Sequence, residues 1–212
     1  MVIEQLNTLT NEILQCCKCK RAVEGRSFAL SHYYAYDLSK VKFMFIGQNP
    51  GPPTKLEKTF KITSIDEFKQ IYFYGLKNSN LGKFLDFIFS KITDLNWENL
   101  FLTNIVKCHI IANKTPSKIE VNNCLPFLEQ QLKLVKPKII ICMGKLAFAN
   151  FLQQSELMIK MTLLHGKVFK KEDCFILPIL HYVYMDQQAN AYYLRESFIT
   201  TFKSVLKEVY GK

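Results

Sequence analysis

Apolar residues fall along this chain in two arrangements, short unbroken runs and longer stretches with helical spacing. The runs are Phe43 to Ile46, Leu100 to Val106, Lys138 to Met143 and Cys174 to Leu180. None has the polar alternation of a half-exposed strand, so each predicts a strand buried on both faces, as in a parallel sheet. Helical spacing appears over residues 2 to 15 (Ile3, Leu6, Leu9, Ile13, Leu14) and from Leu81 to Ile92 (Leu81, Phe84, Leu85, Ile88, Phe89). It returns from about Lys118 to Val135 (Leu125, Leu128, Leu132, Val135), where Ser117 and Glu120 have capping-box spacing and Pro137 marks the end. A further helix runs from Gly144 through about Leu152. A long terminal one starts near Gln188, with Ala191, Leu194, Phe198, Phe202, Val205 and Val209 on its apolar face. This alternation predicts an α/β fold, a three-layer sandwich with a central, mostly parallel four-stranded sheet flanked by helices.

Between these elements, residues 22 to 40 read as irregular, with room for one short strand. Thr54 to Asn80 is polar, with aromatics at Tyr72-Phe73-Tyr74 before Gly75, and suits a functional wall or lid, or aromatics that fill the core. No repeat, low-complexity tract or linker interrupts the pattern, so 212 residues predict one domain.

The strand ends carry the candidate chemistry. The first run stops abruptly in Gly47-Gln48-Asn49-Pro50-Gly51-Pro52-Pro53, where the glycines admit close backbone approach and the prolines stiffen the turn. Ligands of open α/β sheets bind outside the carboxyl ends of the strands, which directs Gln48 and Asn49 into a cleft. A plain strand-to-loop corner has the same pattern. Asn104 interrupts the second run at its carboxyl end and needs partners or a cavity, because a buried unpaired polar group costs about 1–3 kcal/mol. His181 follows the fourth run. Neutral amides and one imidazole, with no carboxylate pair, are a poor set for two-acid glycoside chemistry. They suit the edge of a flat amide-like ligand, since Asn offers a donor and an acceptor side by side. No G-x-x-x-x-G-K-[ST] loop supports a nucleotide-phosphate site.

Charge and cysteine content narrow the classes further. The 28 Lys and Arg exceed the 18 Asp and Glu by ten, a balance that favours a polyanion such as nucleic acid. No apolar run reaches membrane-spanning length and the amino-terminal stretch is amphipathic, which predicts a cytosolic protein with no membrane partner. In a reducing compartment seven cysteines point away from disulfides and towards metal or cluster ligation. Cys16 and Cys19 form a C-x2-C pair, which serves a zinc half-site, an iron-sulfur half-site or a redox pair.

In this order, the strand followed by GQNPG, the segment LTNIVKC, the Thr-Pro of Thr115-Pro116, Cys124 and PFLEQQLKLVKPKIIICMG together resemble the uracil-DNA glycosylase superfamily. The match is greatest to its iron-sulfur family 4, which also shows the fifteen residues between Cys108 and Cys124. The resemblance implies that Cys16, Cys19, Cys108 and Cys124 hold a [4Fe-4S] cluster, with Cys17 a possible replacement for a neighbour and zinc the alternative ion. Cys142 and Cys174, in apolar runs, are read as core. It implies hydrolysis of the N-glycosidic bond of uracil in DNA, the first step of base-excision repair, with the nucleotide flipped into the cleft. In that scheme Phe73 stacks on the base, with Phe60 as second choice, and Asn104 reads the uracil edge. Amides around Gly47 and Gln48 hold a carbonyl oxygen, Asn49 positions water, and His181 stabilises the departing uracil. The expected partner is uracil-containing DNA, met by a monomer.

Departures from the family pattern leave other readings open. Gln48 and Asn49 stand where family 4 has an acidic and a small residue, G-x-N-P-G being typical of the mismatch-specific and single-strand-selective families. The second motif of family 4 runs His-Pro-Ser, whereas His181 is followed by Tyr182, Val183 and Tyr184, with YLR only at Tyr193 to Arg195. The alternatives are a glycosylase for other deaminated or mismatched bases, and a catalytically silent, cluster-bearing nucleic-acid binder.

Overall fold

The computed structural model describes residues 2–19, 32–34, 37–51, 73, 75–110, 115–152 and 158–211. Its strands, in chain order, are β1 (His32–Tyr34), β2 (Phe43–Gly47), β3 (Leu100–Asn104), β4 (Ile139–Met143), β5 (Phe169–Lys171) and β6 (Cys174–Ile179). The helices are α1 (Val2–Gln15), α2 (Asn80–Lys91), α3 (Lys118–Val135), α4 (Lys145–Leu152), α5 (Met161–Leu164), α6 (Tyr182–Asp186) and α7 (Ala191–Tyr210). Among the described residues none of these is long and apolar enough to cross a membrane.

The four apolar runs make the parallel centre of one sheet, ordered β1-β3-β2-β4-β6-β5. The sheet exceeds the expected four strands because β1 and β5 add antiparallel edges. Each edge strand has only three residues, and Phe169-Lys170-Lys171 lacks the apolar run by which the central strands are read. Such short edges, with two lysines on β5, also discourage pairing with other chains.

Every residue of β2, β3 and β4 is buried, and successive side chains serve opposite layers. Met44, Ile46, Ile140 and Cys142 pack with Leu6, Leu9 and Ile13 of α1 and with Val121, Phe127 and Leu128 of α3. Phe43, Phe45, Ile139 and Ile141 pack with Phe84, Leu85 and Ile88 of α2 and with Phe198, Phe202 and Val205 of α7. Burying each such side chain contributes about 1.5–3 kcal/mol, so these two layers are the main drive to the fold. Ser117 caps α3 by accepting from the Glu120 amide, while Glu120 Oε2 accepts from the Ser117 amide at 2.7 Å.

Chain direction places the loops that matter. The chain leaves β2 for α2 on one face and leaves β4 for α4 on the other, so the sheet changes its direction of growth between β2 and β4. A crevice opens at such a switch point, outside the carboxyl ends of the strands. α7 begins beside α6 at this end and runs back to the opposite edge, where the Tyr210 hydroxyl donates to the Lys42 carbonyl at 2.7 Å.

Candidate active site and cysteine pocket

Gly47 and Asn104 are register partners at the carboxyl ends of β2 and β3. The Asn104 side chain lies so close over Gly47 that a Cβ there would sit 2.5 Å from Asn104 Oδ1, with Met143 Cε at 3.5 Å on the other side. A glycine is therefore required for Asn104 to lie across the end of β2. Beyond this point the two chains remain stitched, the Ile105 amide donating to Gly47 O and the Val106 amide to Gln48 O, both at 2.9 Å. Gln48 Nε2 donates to Asn49 Oδ1 at 3.1 Å, and Asn49 Nδ2 to Pro50 O at 2.9 Å. His109 Nδ1 also meets Pro50 O, at 3.2 Å. The Asn49 amide is thus held in one orientation, and an amide still has a second N–H and a second lone pair to offer.

His181 stands one residue beyond Leu180 at the end of β6 and caps α6, its Nδ1 accepting from the Val183 amide at 3.4 Å. Its ring stacks on Tyr182 at 4.5 Å, and Tyr182 stacks on Phe84 of α2 at 5.9 Å. Although the residue is exposed, these rings enclose the imidazole enough for desolvation to lower its pKa. The neutral ring with Nδ1 as acceptor carries its proton on Nε2. Only β4 separates β6 from β2, which puts the two strand axes about 10 Å apart. Gly144, with φ of 87°, turns the chain between them and donates its amide to Ile179 O at 2.8 Å.

Asn49, Asn104 and His181, with Gly47 and Gln48, accordingly share one edge of the sheet. Phe73 does not join them. Its ring meets Trp97 edge-on at 5.5 Å, and Trp97 lies in the turn that leads into the amino end of β3, with the length of that strand, roughly 13 Å, between the turn and Asn104. Phe60 and residues 54–72 of the polar stretch lie outside the described residues.

The four cysteines singled out by resemblance come together. Cys16 and Cys19 after α1, Cys108 after β3 and Cys124 in the second turn of α3 line one small hollow, with Val106, Glu120 and Asn123. Asn123 Nδ2 donates to Cys19 Sγ at 3.2 Å and the Lys107 amide to Cys124 Sγ at 3.5 Å. Burial raises the Cys124 pKa, and the neighbouring Cys19 and Cys16 raise it further. Among the described residues no three His, Cys, Asp or Glu side chains are arranged to hold a metal ion. Cys17 is exposed. Cys142 is fully enclosed in β4, and burial pushes Cys174 up to about 11, as inert core thiols behave.

Two residues are prominent for which the sequence alone makes little case: Lys107 has no role in it, and His165 a weaker claim than His181. The buried Lys107 donates from Nζ to Thr103 Oγ1, Gln131 Oε1 and Asn104 O at 2.9, 2.7 and 2.6 Å. Burial pushes its pKa down to about 7, against the pull of Cys124. His165 accepts at Nδ1 from the Leu180 amide at 3.1 Å and donates from Nε2 to Leu194 O at 2.8 Å, fastening the residue before His181 to α7. No sequence signal marks either one, since lone Lys and His residues are ordinarily read as surface groups.

The His165 arrangement needs the neutral ring, and burial lowers its pKa from the ordinary 6.5 although the Leu194 bond opposes this. A depressed folded-state pKa gives stability that is complete above 6.5 and is lost as pH falls through the folded value. Urea unfolding across that window is expected to show stability falling with acid, and His165→Gln to remove part of the slope. A variant with an unchanged slope would contradict this.

Comparison with known proteins agrees with the geometry. The family model described as the uracil DNA glycosylase superfamily matches residues 34–205. The chain is 26% identical to the Type-4 uracil-DNA glycosylase of Sulfurisphaera tokodaii over 190 residues, covering 84% of this chain and 74% of that protein. With the Type-4 uracil-DNA glycosylase of Archaeoglobus fulgidus the identity is 25% over 218 residues, covering 99% and 96%. With that of Saccharolobus solfataricus it is 30% over 149 residues, covering 68% and 57%. With the match running from β1 into α7 and taking in each of the strand ends described above, this chain belongs to the uracil DNA glycosylase superfamily.

Proposed function

We propose that the protein is a uracil-DNA glycosylase that hydrolyses the N-glycosidic bond of a flipped uracil nucleotide, opening base-excision repair. The observation that carries this reading is the placement of Asn104 across Gly47, beside the bonded Gln48–Asn49 pair and on the same sheet edge as a neutral His181. Uracil has an acceptor and a donor side by side on its Watson–Crick edge. The Asn104 amide pairs with both, whereas cytosine presents an amine where uracil has an oxygen. Amides around Gly47 and Gln48 hold a base carbonyl. The C1′–N1 bond breaks with its electron pair passing to the base, and water held by Asn49 adds to C1′ and loses a proton to solvent, from which the released uracil anion takes one up. The charge arriving on the uracil oxygen is met by the Nε2–H of His181, a donor kept in place because Nδ1 is committed to the Val183 amide. Phe73 is given no part, as it packs against Trp97.

The hollow supports a [4Fe-4S] cluster held by Cys16, Cys19, Cys108 and Cys124. Four thiolates are the usual ligand set, and the N–H groups of Asn123 and Lys107 face two of the sulfurs. Four cysteines serve zinc as well, and it is the resemblance to the iron-sulfur family 4 that favours a cluster. Bound there, a cluster would supply structural cross-linking, and its positive charge would favour the thiolate of Cys124, which burial otherwise disfavours. The four cysteines that would hold it lie on residues 16–19, on α3 and after β3, so it would tie these segments into a single domain.

Uracil release from single- and double-stranded oligonucleotides, followed by alkaline cleavage, tests the activity. His181→Ala and Asn49→Ala are each expected to slow release by about 10²–10³. Undiminished rates, or no release by the parent protein, would refute the reading. Hypoxanthine and xanthine lesions in the same assay mark the alternative base range. Iron and sulfide analysis tests the cluster: Cys108→Ser and Cys124→Ser should lose both and the brown colour, while Cys17→Ser retains them. Bound zinc without iron would overturn the assignment.

A further inference from the structure

Lys107 carries a buried ammonium that no step above uses. Its three protons meet three oxygens drawn from two elements: Thr103 and Asn104 at the end of β3, and Gln131 of α3. Gln131 Oε1 also accepts from Thr103 Oγ1 at 2.8 Å, which closes the group into one network. The shortest of the three lysine bonds is to the main-chain carbonyl of Asn104. The Lys107 main-chain amide faces Cys124 Sγ. One residue therefore touches both the backbone of the base-reading asparagine and the wall of the cysteine pocket.

We propose that Lys107 is a positioning residue for base recognition: its ammonium fixes the Asn104 carbonyl, and with it the amide lying over Gly47, and anchors that setting to α3. The inference rests on the glycosylase reading and deepens it. Asn104 is the last residue of β3 and its partner Gly47 the last of β2; past them the Ile105 and Val106 amides continue the pairing, while the Asn104 carbonyl takes the Lys107 ammonium. A charge-assisted bond to the carbonyl does what the next rung of a ladder would do, and it is directional, which an apolar side chain of the same length is not. The orientation of Asn104 then depends on the packing of α3, hence on the pocket around Cys124. The geometry also separates positioning from mere support. Thr103→Val removes two bonds of the network but leaves the bond to Asn104 in place. Lys107→Met keeps the volume and removes that bond.

The test is a double-mutant cycle on the intact, cluster-loaded protein, with kcat and KM for uracil release and inhibition by free uracil as readouts. Lys107→Met is expected to lower kcat by about tenfold, to weaken inhibition by free uracil similarly, and to change KM for DNA by less than about threefold. In an Asn104→Ala background it should cost less than about twofold, because there is no amide left to orient. Thr103→Val should lower the melting temperature while leaving inhibition by uracil within about twofold. If Lys107→Met does not fold, Lys107→Arg keeps the charge but misplaces the donors, and should show the same loss confined to the Asn104 background. Losses that multiply in full with Asn104→Ala, or a Thr103→Val protein as defective towards uracil as the lysine variant, would overturn the proposal. Asn104→Ala with parental activity would instead refute the role given to Asn104 itself.

Discussion

The end of β2 has room for a side chain from its neighbour and none for one of its own. Asn104 reaches over Gly47 from β3, and the space a Cβ would take is the space its Oδ1 fills. Everything proposed for the cleft follows from that contact. The loop after Gly47 can lie against the chain after β3 through the Ile105 and Val106 amides because the two strands end in register. The same loop then orients the Asn49 amide, and His109 closes on Pro50 from beyond Cys108.

This close approach is supported from behind. The layer formed by α1 and α3 puts four thiols around one hollow, and Lys107 stands between that hollow and Asn104. On the other side His165 fastens the residue before His181 to α7, and Tyr182 braces the imidazole against α2. Asn104 and His181 thus belong to separately braced halves, joined by the turn at Gly144.

Much of this was legible in the chain because it follows from local pattern. The unbroken apolar runs are the four parallel strands, and the Ser117–Glu120 box starts a helix that ends at Val135, as its spacing predicts. The C-x2-C pair and the two later cysteines do converge, which spacing alone did not require. What escaped depends on contacts made far along the sequence. β5 has no apolar signature because its partner on one side is solvent. Phe73 was assigned to the cleft by the resemblance, whereas its ring meets Trp97, in the turn before β3. Lys107 and His165 draw their meaning from Gln131 and Leu194, 24 and 29 residues away.

Replacement of Gly47 by alanine tests the central contact most directly. The nearest obstacle to the new methyl is the tip of a side chain rather than backbone, so Asn104 can swing aside at small cost to the fold. Uracil release by Gly47→Ala and its melting temperature are to be measured together. The account predicts a melting temperature within a few degrees of the parent and release slower by more than about tenfold, the size of effect expected when a well-placed catalytic contact is misplaced by about an ångström. Parental activity in a folded Gly47→Ala protein would contradict it.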